Sequence, residues 1–275
     1  MSLLEEIVLG LVQGLTEFLP ISSTGHLRVV PAFLGWDDPG AAFTAVTQVG
    51  TMLAVLIYFR SDLLRIARAW LRSLNDTSRR RDLDARIGWY IILGTVPIGI
   101  FGLLFKDQIE TGARDLYLIG TALIVLGLVL LLAERVGTRE RKLEQIKTRD
   151  GFVIGFAQAL ALIPGVSRSG ATITAGLFMG LERETAARFS FLLSIPAVVL
   201  SGALEFGTIL EGEDGEEQYS LAGLGVATVM AFISGYASIA FLLRFLATHS
   251  TVVFVVYRVV LGTAVLVLVS AGAIE

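Results

Sequence analysis

Residues Gln13 to His26 read QGLTEFLPISSTGH, and residues Pro164 to Gly170 read PGVSRSG. In both places a proline closes an apolar run, because it has no N–H to donate and disfavours helical geometry at the residue before it. A turn of hydroxyl residues ending in glycine follows each time. Upstream the likeness continues: Val8 to Gln13 (VLGLVQ) aligns with Val153 to Gln158 (VIGFAQ). The stretches containing these segments, 3–36 and 151–181, are each interrupted by proline and several glycines. Neither half is long enough to cross a bilayer comfortably. Each therefore reads as a re-entrant helix–loop–helix that enters and leaves the membrane by one side.

Outward from these hairpins the chain is apolar in blocks. Hydrophobic residues make up 54% of the 275 and charged residues 17%, against about 25% charged in a soluble domain. The runs 43–59, 87–105, 116–133, 189–203, 221–243 and 251–271 are nearly free of charge. Most approach the roughly 20 residues that span hydrocarbon. Six such runs do not fit one soluble core, so the expected fold is an all-α polytopic membrane protein with six transmembrane helices and two re-entrant segments. The whole chain, 1–275, forms one membrane domain. A hairpin plus three spans crosses an odd number of times, so the second copy lies upside down relative to the first. That is an inverted-topology repeat, with copies at about 1–134 and 151–275 whose broken segments meet near the midplane.

Charge orients the spans. Residues 60–86 hold eight arginines, and 135–150 hold Arg135, Arg139, Arg141, Lys142, Lys147 and Arg149. The stretches 106–115 and 205–219 are poor in Lys and Arg. The positive-inside rule places the two basic loops in the cytoplasm, the second of them joining the repeats, and the other two outside. The first residues carry Glu5 and Glu6 where a leader would be basic, so no cleaved leader is expected. Cysteine is absent, which excludes disulfides and thiol catalysis, and no basic array of the kind that binds nucleic acid is present.

Within the first hairpin, Gln13 and Glu17 are four residues apart and share a helix face. A carboxylate in an apolar segment is costly unless it faces a cavity, a partner or a metal. The turn then offers Ser22, Ser23, Thr24, Gly25 and His26. In the second hairpin, Arg168 sits in an otherwise uncharged stretch between Ser167 and Ser169–Gly170. Its planar fork suits phosphate, and flanking serines, glycine backbone and a restarting helix can add donors. An ion pair between Arg168 and Glu17 that only holds the hairpins together is the structural alternative. A carboxylate, an amide, a Ser–x–x–His turn and an arginine form the set that phosphoryl chemistry requires. A membrane location suggests a lipid-borne phosphate.

These two motifs, with Ala171, Thr172 and Ile173 after the second, resemble those of the undecaprenyl-diphosphate phosphatases, the bacitracin-resistance membrane family, over the whole chain. The resemblance implies hydrolysis of undecaprenyl diphosphate to the monophosphate, which recycles the lipid carrier of cell-wall synthesis. It also implies a divalent cation (Mg²⁺ or Ca²⁺), a site open to the extracytoplasmic side of the plasma membrane, membrane lipids as surroundings and a homodimer. By motif position Glu17 is the second acidic residue, Ser23 the nucleophile, His26 the acid/base and Arg168 the phosphate-binding arginine. Ser22, Thr24, Ser167, Ser169 and Gly170 would line the diphosphate. Glu17 and Gln13 would hold the metal, although Gln13 stands where many members have Glu and cannot act as a base. Attack by water or by His26, and Glu17 as base rather than ligand, stay open. A transporter or flippase for a phosphorylated polyprenyl lipid is the competing function, since inverted repeats with broken helices also build transporters.

Overall fold

The computed structural model of the chain describes residues 1–105, 115–210 and 220–274, apart from the side chains of residues 41 and 201–210. Eleven α-helices lie in the described residues: α1 (Leu3–Phe18), α2 (Ser23–Leu34), α3 (Gly40–Tyr58), α4 (Arg60–Asn75), α5 (Leu83–Leu104), α6 (Leu116–Val136), α7 (Thr148–Ala159), α8 (Arg168–Phe178), α9 (Arg183–Leu210), α10 (Leu221–Leu246) and α11 (Val252–Ser270). Among those residues there is no strand, and one isolated bridge joins Arg141 to Leu181. Of the Lys/Arg-poor stretches expected outside, 106–114 and 211–219 fall beyond the described residues.

Among the described residues, four helices are long and apolar enough to cross a membrane: α5, α6, α10 and α11. A fifth is added if α3 and α4, which meet at a 75° bend, count as one broken span. The runs 87–105, 116–133, 221–243 and 251–271 fall in the four. The run 43–59 is α3. The run 189–203 lies inside α9, a 28-residue helix that is not among the four. From Thr185 to Val198 every side chain of α9 except Arg188 and Pro196 is buried. A helix segment that is covered on all sides belongs to the core, and over 185–198 α9 turns its apolar surface to the protein around it, while Val199 and Leu200 are exposed.

Residues 60–86, read from sequence as a basic loop, are instead helix α4, a short 3-10 turn at Thr77–Arg81 and the first residues of α5. The reason is amphipathicity. Ile66 is buried, and Trp70 lies over Gly88 of α5, where a Cβ would meet the Trp70 side chain at 2.9 Å. The arginines take the other face, and Arg65 pairs with Asp62 at 2.9 Å and Asp84 at 2.8 Å.

Glycine decides how closely the long helices approach. A Cβ on Gly10 of α1 would fall on the Ala227 backbone of α10, and one on Gly155 of α7 would fall on Gly94 of α5. Hydrocarbon gives apolar helices no hydrophobic reason to associate, so packing at small residues carries the association. On α6 and α11, Gly120 and Gly262 touch in the same manner. The hairpin α1–α2 thus rests on α10, the hairpin α7–α8 on α5, and α6 and α11 pack as a pair. Beneath both hairpins lies an apolar core that includes Phe18, Phe59, Ile173, Leu177, Phe189 and Phe191.

Candidate active site

Both hairpins break in the same local geometry. After α1, Leu19 is extended ahead of Pro20, and α2 begins at Ser23 with Ser22 as its N-cap. After α7 a 3-10 turn ends at Leu162, and α8 begins at Arg168 with Ser167 as its N-cap. Ser22 has φ 75° and Ser167 φ 71°, in the left-handed region that side chains other than glycine rarely adopt. Such backbone costs of order 1–3 kcal/mol and persists where its surroundings fix it. Here the caps fix it. Ser22 Oγ accepts from the Gly25 N–H at 3.3 Å, and Ser167 Oγ accepts from the Gly170 N–H at 3.1 Å. Each cap also lies near the next hydroxyl but one, Ser22 to Thr24 at 3.3 Å and Ser167 to Ser169 at 3.1 Å.

One hydrogen-bonded chain links the hairpins. Ser23 Oγ donates to Glu17 Oε2 at 2.6 Å, and Gln13 Nε2 donates to the same oxygen at 3.2 Å. The other oxygen, Glu17 Oε1, is paired with Arg168. Ser169 Oγ donates to the Leu19 carbonyl at 2.9 Å. The side chains of Glu17 and Arg168 are 7% and 16% exposed, so the pair is largely withdrawn from solvent. Gln13 is buried, and its Oε1 has no partner among the described residues. Thr24 is the exposed member of the first turn.

His26 is oriented differently from what its spacing suggests. The Ser22 carbonyl can only accept, so its 2.7 Å contact with Nδ1 places the hydrogen on Nδ1. In the neutral ring Nε2 is then an acceptor, and Tyr257 of α11 donates its hydroxyl to it at 2.6 Å. The two rings stack with centroids 5.5 Å apart and planes 8° from parallel. Motif position gives His26 the part of acid/base beside the nucleophile Ser23. In the structure the Ser23 hydroxyl is held by Glu17, and His26 faces Tyr257.

Tyr257 and Arg258 are site neighbours that the motifs do not contain. Arg258 is 1% exposed. Its Nη1 donates to the carbonyls of Pro20 and Val166, both at 3.1 Å, and its Nη2 to Gly165 and Val166, both at 3.1 Å. Two further bonds reach Leu123 (3.1 Å) and Ala122 (3.2 Å) of α6. One guanidinium thereby ties both breaks to a third helix. The signal was available in the sequence, since an arginine in the apolar run 251–271 invites the same question as Arg168.

The residues expected at the site fall into three groups. Gln13, Glu17, Ser23 and Arg168 form the connected chain. Ser22, Thr24, Ser167, Ser169 and Gly170 build the two turns at the N-termini of α2 and α8, which favour anions. His26 stands beside the first turn. In the second hairpin Gln158 repeats the burial of Gln13, with neither amide atom partnered, but no carboxylate follows it: four residues on stands Leu162. The acidic group is therefore confined to one hairpin.

Residues 6–264 match a protein family described as bacitracin resistance protein BacA. An undecaprenyl-diphosphatase of Nocardioides sp. (strain ATCC BAA-499 / JS614) is 55% identical, covering 98% of this chain and 98% of its own. Undecaprenyl-diphosphatase 2 of Streptomyces coelicolor is 53% identical over 100% of this chain and 97% of its own. For the undecaprenyl-diphosphatase of Mycobacterium sp. (strain KMS) the identity is 55%, over 100% and 99%.

Proposed function

The chain belongs to the bacitracin resistance protein BacA family, and on that footing we propose that it hydrolyses undecaprenyl diphosphate to undecaprenyl monophosphate and inorganic phosphate. The observation that carries the chemistry is the chain Ser23–Glu17–Arg168, which puts a hydroxyl, a carboxylate and a guanidinium in contact across two hairpins. A transporter would use the arginine but has no need of a serine hydroxyl held by a carboxylate.

In this mechanism the diphosphate enters between the N-termini of α2 and α8 and takes over Arg168 from Glu17. Backbone N–H groups and the hydroxyls of Thr24 and Ser169 meet its oxygens. Glu17, released from the ion pair, accepts the Ser23 proton as Ser23 Oγ attacks the terminal phosphorus. The Oγ–P bond forms while the bond from phosphorus to the bridging oxygen breaks, and undecaprenyl monophosphate leaves. Water then cleaves the phosphoserine and frees phosphate. His26 handles the proton of the departing or the attacking oxygen.

The donor set suits a divalent cation of the Mg²⁺ or Ca²⁺ type. No cluster of three or more His, Cys, Asp or Glu exists among the described residues, but Mg²⁺ is commonly held by one or two carboxylates plus substrate phosphates. The unpartnered Gln13 Oε1, and Glu17 where it serves as ligand instead of base, would supply the protein's share. When bound, the ion would neutralise part of the diphosphate charge.

The same reading covers the membrane arrangement. The hairpins α1–α2 and α7–α8 are re-entrant, and α3, α5, α6, α9, α10 and α11 are the six spans, divided into inverted repeats at about 1–134 and 151–275. The matched turns at Ser22 and Ser167 support this division, as do the reciprocal contacts of α1 with α10 and of α7 with α5. With the arginines of α4 in the cytoplasm, the first hairpin enters from the extracytoplasmic side of the plasma membrane, and the site opens there. A homodimer belongs to this proposal too, and crosslinking in native membranes would reveal it. Purified protein supplied with undecaprenyl diphosphate is expected to release phosphate and undecaprenyl monophosphate. Full activity in the double variant Ser23→Ala/Arg168→Ala would overturn the assignment, and lipid moved across vesicles without phosphate release would favour transport.

A further inference from the structure

Two short hydrogen bonds dominate the first turn, and they point in different directions. Ser23 is bonded to Glu17 at 2.6 Å, and His26 to Tyr257 at 2.6 Å. The first pair accounts for a nucleophile and its base. The second directs the imidazole Nε2 to Tyr257, a residue outside both motifs, rather than to the Ser23 hydroxyl.

Three constraints define the His26 ring. Its Nδ1–H is committed to the Ser22 carbonyl at 2.7 Å, which fixes the tautomer. Its plane lies along that of Tyr257, 8° from parallel. Its one remaining lone pair, on Nε2, receives the Tyr257 hydroxyl. Whatever proton His26 gives or takes passes through that nitrogen, so Tyr257 controls both where Nε2 aims and what it touches at rest. Tyr257 is 43% exposed, so the ring is no core filler. Its helix is anchored by the adjacent residue, since Arg258 binds the carbonyl of Pro20 at the same break. The helix α11 thus fixes the backbone of the turn with one residue and the imidazole with the next.

We infer that Tyr257 is a positioning residue of the reaction, acting through Nε2 of His26 and yielding that nitrogen to the substrate or its attacking water during turnover. The inference rests on the phosphatase reading and adds to it the residue that holds its acid/base in register.

The test uses Tyr257→Phe, which keeps the ring and removes the hydroxyl, in the full-length protein. Losing one hydrogen bond that holds a proton-transfer group is expected to lower kcat about tenfold with KM unchanged. Because the effect runs through His26, adding Tyr257→Phe to His26→Gln is expected to change kcat by less than about twofold. Equal fold losses in both backgrounds, or a kcat for Tyr257→Phe equal to wild type, would overturn the inference. A second readout needs no turnover. The chain has two histidines, so ¹⁵N-imidazole spectra in a His249→Gln background report His26 alone. Removing the Tyr257 hydroxyl is expected to move the Nε2 resonance toward that of an unbonded acceptor nitrogen and to leave Nδ1 protonated. An unchanged Nε2 resonance would overturn the contact itself. Absence of phosphate release by wild type, with the shift present, would instead indict the phosphatase reading.

Discussion

Exchanging Glu17 for Gln keeps the side chain's size and removes its charge, and the structure says where each consequence lands. Arg168 loses its carboxylate while remaining 16% exposed, in a position whose partner was 7% exposed. Removing one member of a buried ion pair costs about 3–5 kcal/mol, because the other charge stays desolvated and unmatched. Arg168 is partly exposed and so regains some hydration, and the low end, about 3 kcal/mol, is expected. Ser23 meanwhile loses the acceptor of its 2.6 Å bond, and loss of a general base typically lowers kcat by about 10²–10⁴. The two effects separate in the double variant Glu17→Gln/Arg168→Gln. With no lone charge left, it is expected to regain most of the stability while its kcat stays as low as that of the single variant. Thermal unfolding in detergent and steady-state phosphate release, run on both variants and on wild type, measure the two quantities. A Glu17→Gln kcat within about threefold of wild type, too small for a lost base, would refute the role given to Glu17. A kcat that recovers as Mg²⁺ is raised would transfer Glu17 from base to cation ligand.

Other outcomes follow from single positions. The chain has no cysteine and Thr24 is the exposed residue of the first turn, so Thr24→Cys in intact cells is expected to react with a membrane-impermeant thiol reagent. Labelling only after the membrane is opened would place the site on the cytoplasmic side. Gly155→Ala would press a methyl group into the Gly94 backbone of α5 and is expected to abolish folded protein. Gly99→Ala meets nothing within 4 Å and should be silent, with yield and melting temperature as the readout. Arg258→Gln strips donors from a set of buried carbonyls, each worth about 1–3 kcal/mol when left unsatisfied. It is expected to cost several kcal/mol and to lower activity with stability; a stable but inactive variant would mean that Arg258 meets substrate rather than backbone.

The frame of the molecule was legible because its signals are local. Proline and glycine mark the two breaks, the spacing of Gln13 and Glu17 puts them on one helix face, and an arginine among uncharged neighbours announces Arg168. Their convergence required only that two similar hairpins meet, and the Glu17–Arg168 pair and the Ser169–Leu19 bond show that they do. What the sequence did not yield depends on distant packing. The Ser–x–x–His spacing assigns Ser23 and His26 to one turn as nucleophile and acid/base, and that turn is the start of α2. The carboxylate of another helix captures the serine, and Tyr257 of a third takes the histidine. Tyr257 and Arg258 were missed because a run is judged apolar by its average, which a single arginine barely alters. Helix α4 was missed for the opposite reason: its arginines suggest a loop, and only Gly88 on α5 reveals where Trp70 packs.

The most direct test of the central claim is to identify the atom that receives the phosphoryl group. Undecaprenyl diphosphate labelled in its terminal phosphate, mixed with enzyme and quenched in neutral denaturing detergent within one turnover, is expected to leave label on Ser23, located by mass spectrometry and absent from Ser23→Ala. Label on His26, or a full burst of free phosphate with none on the protein, would contradict the assignment of Ser23 as the nucleophile held by Glu17.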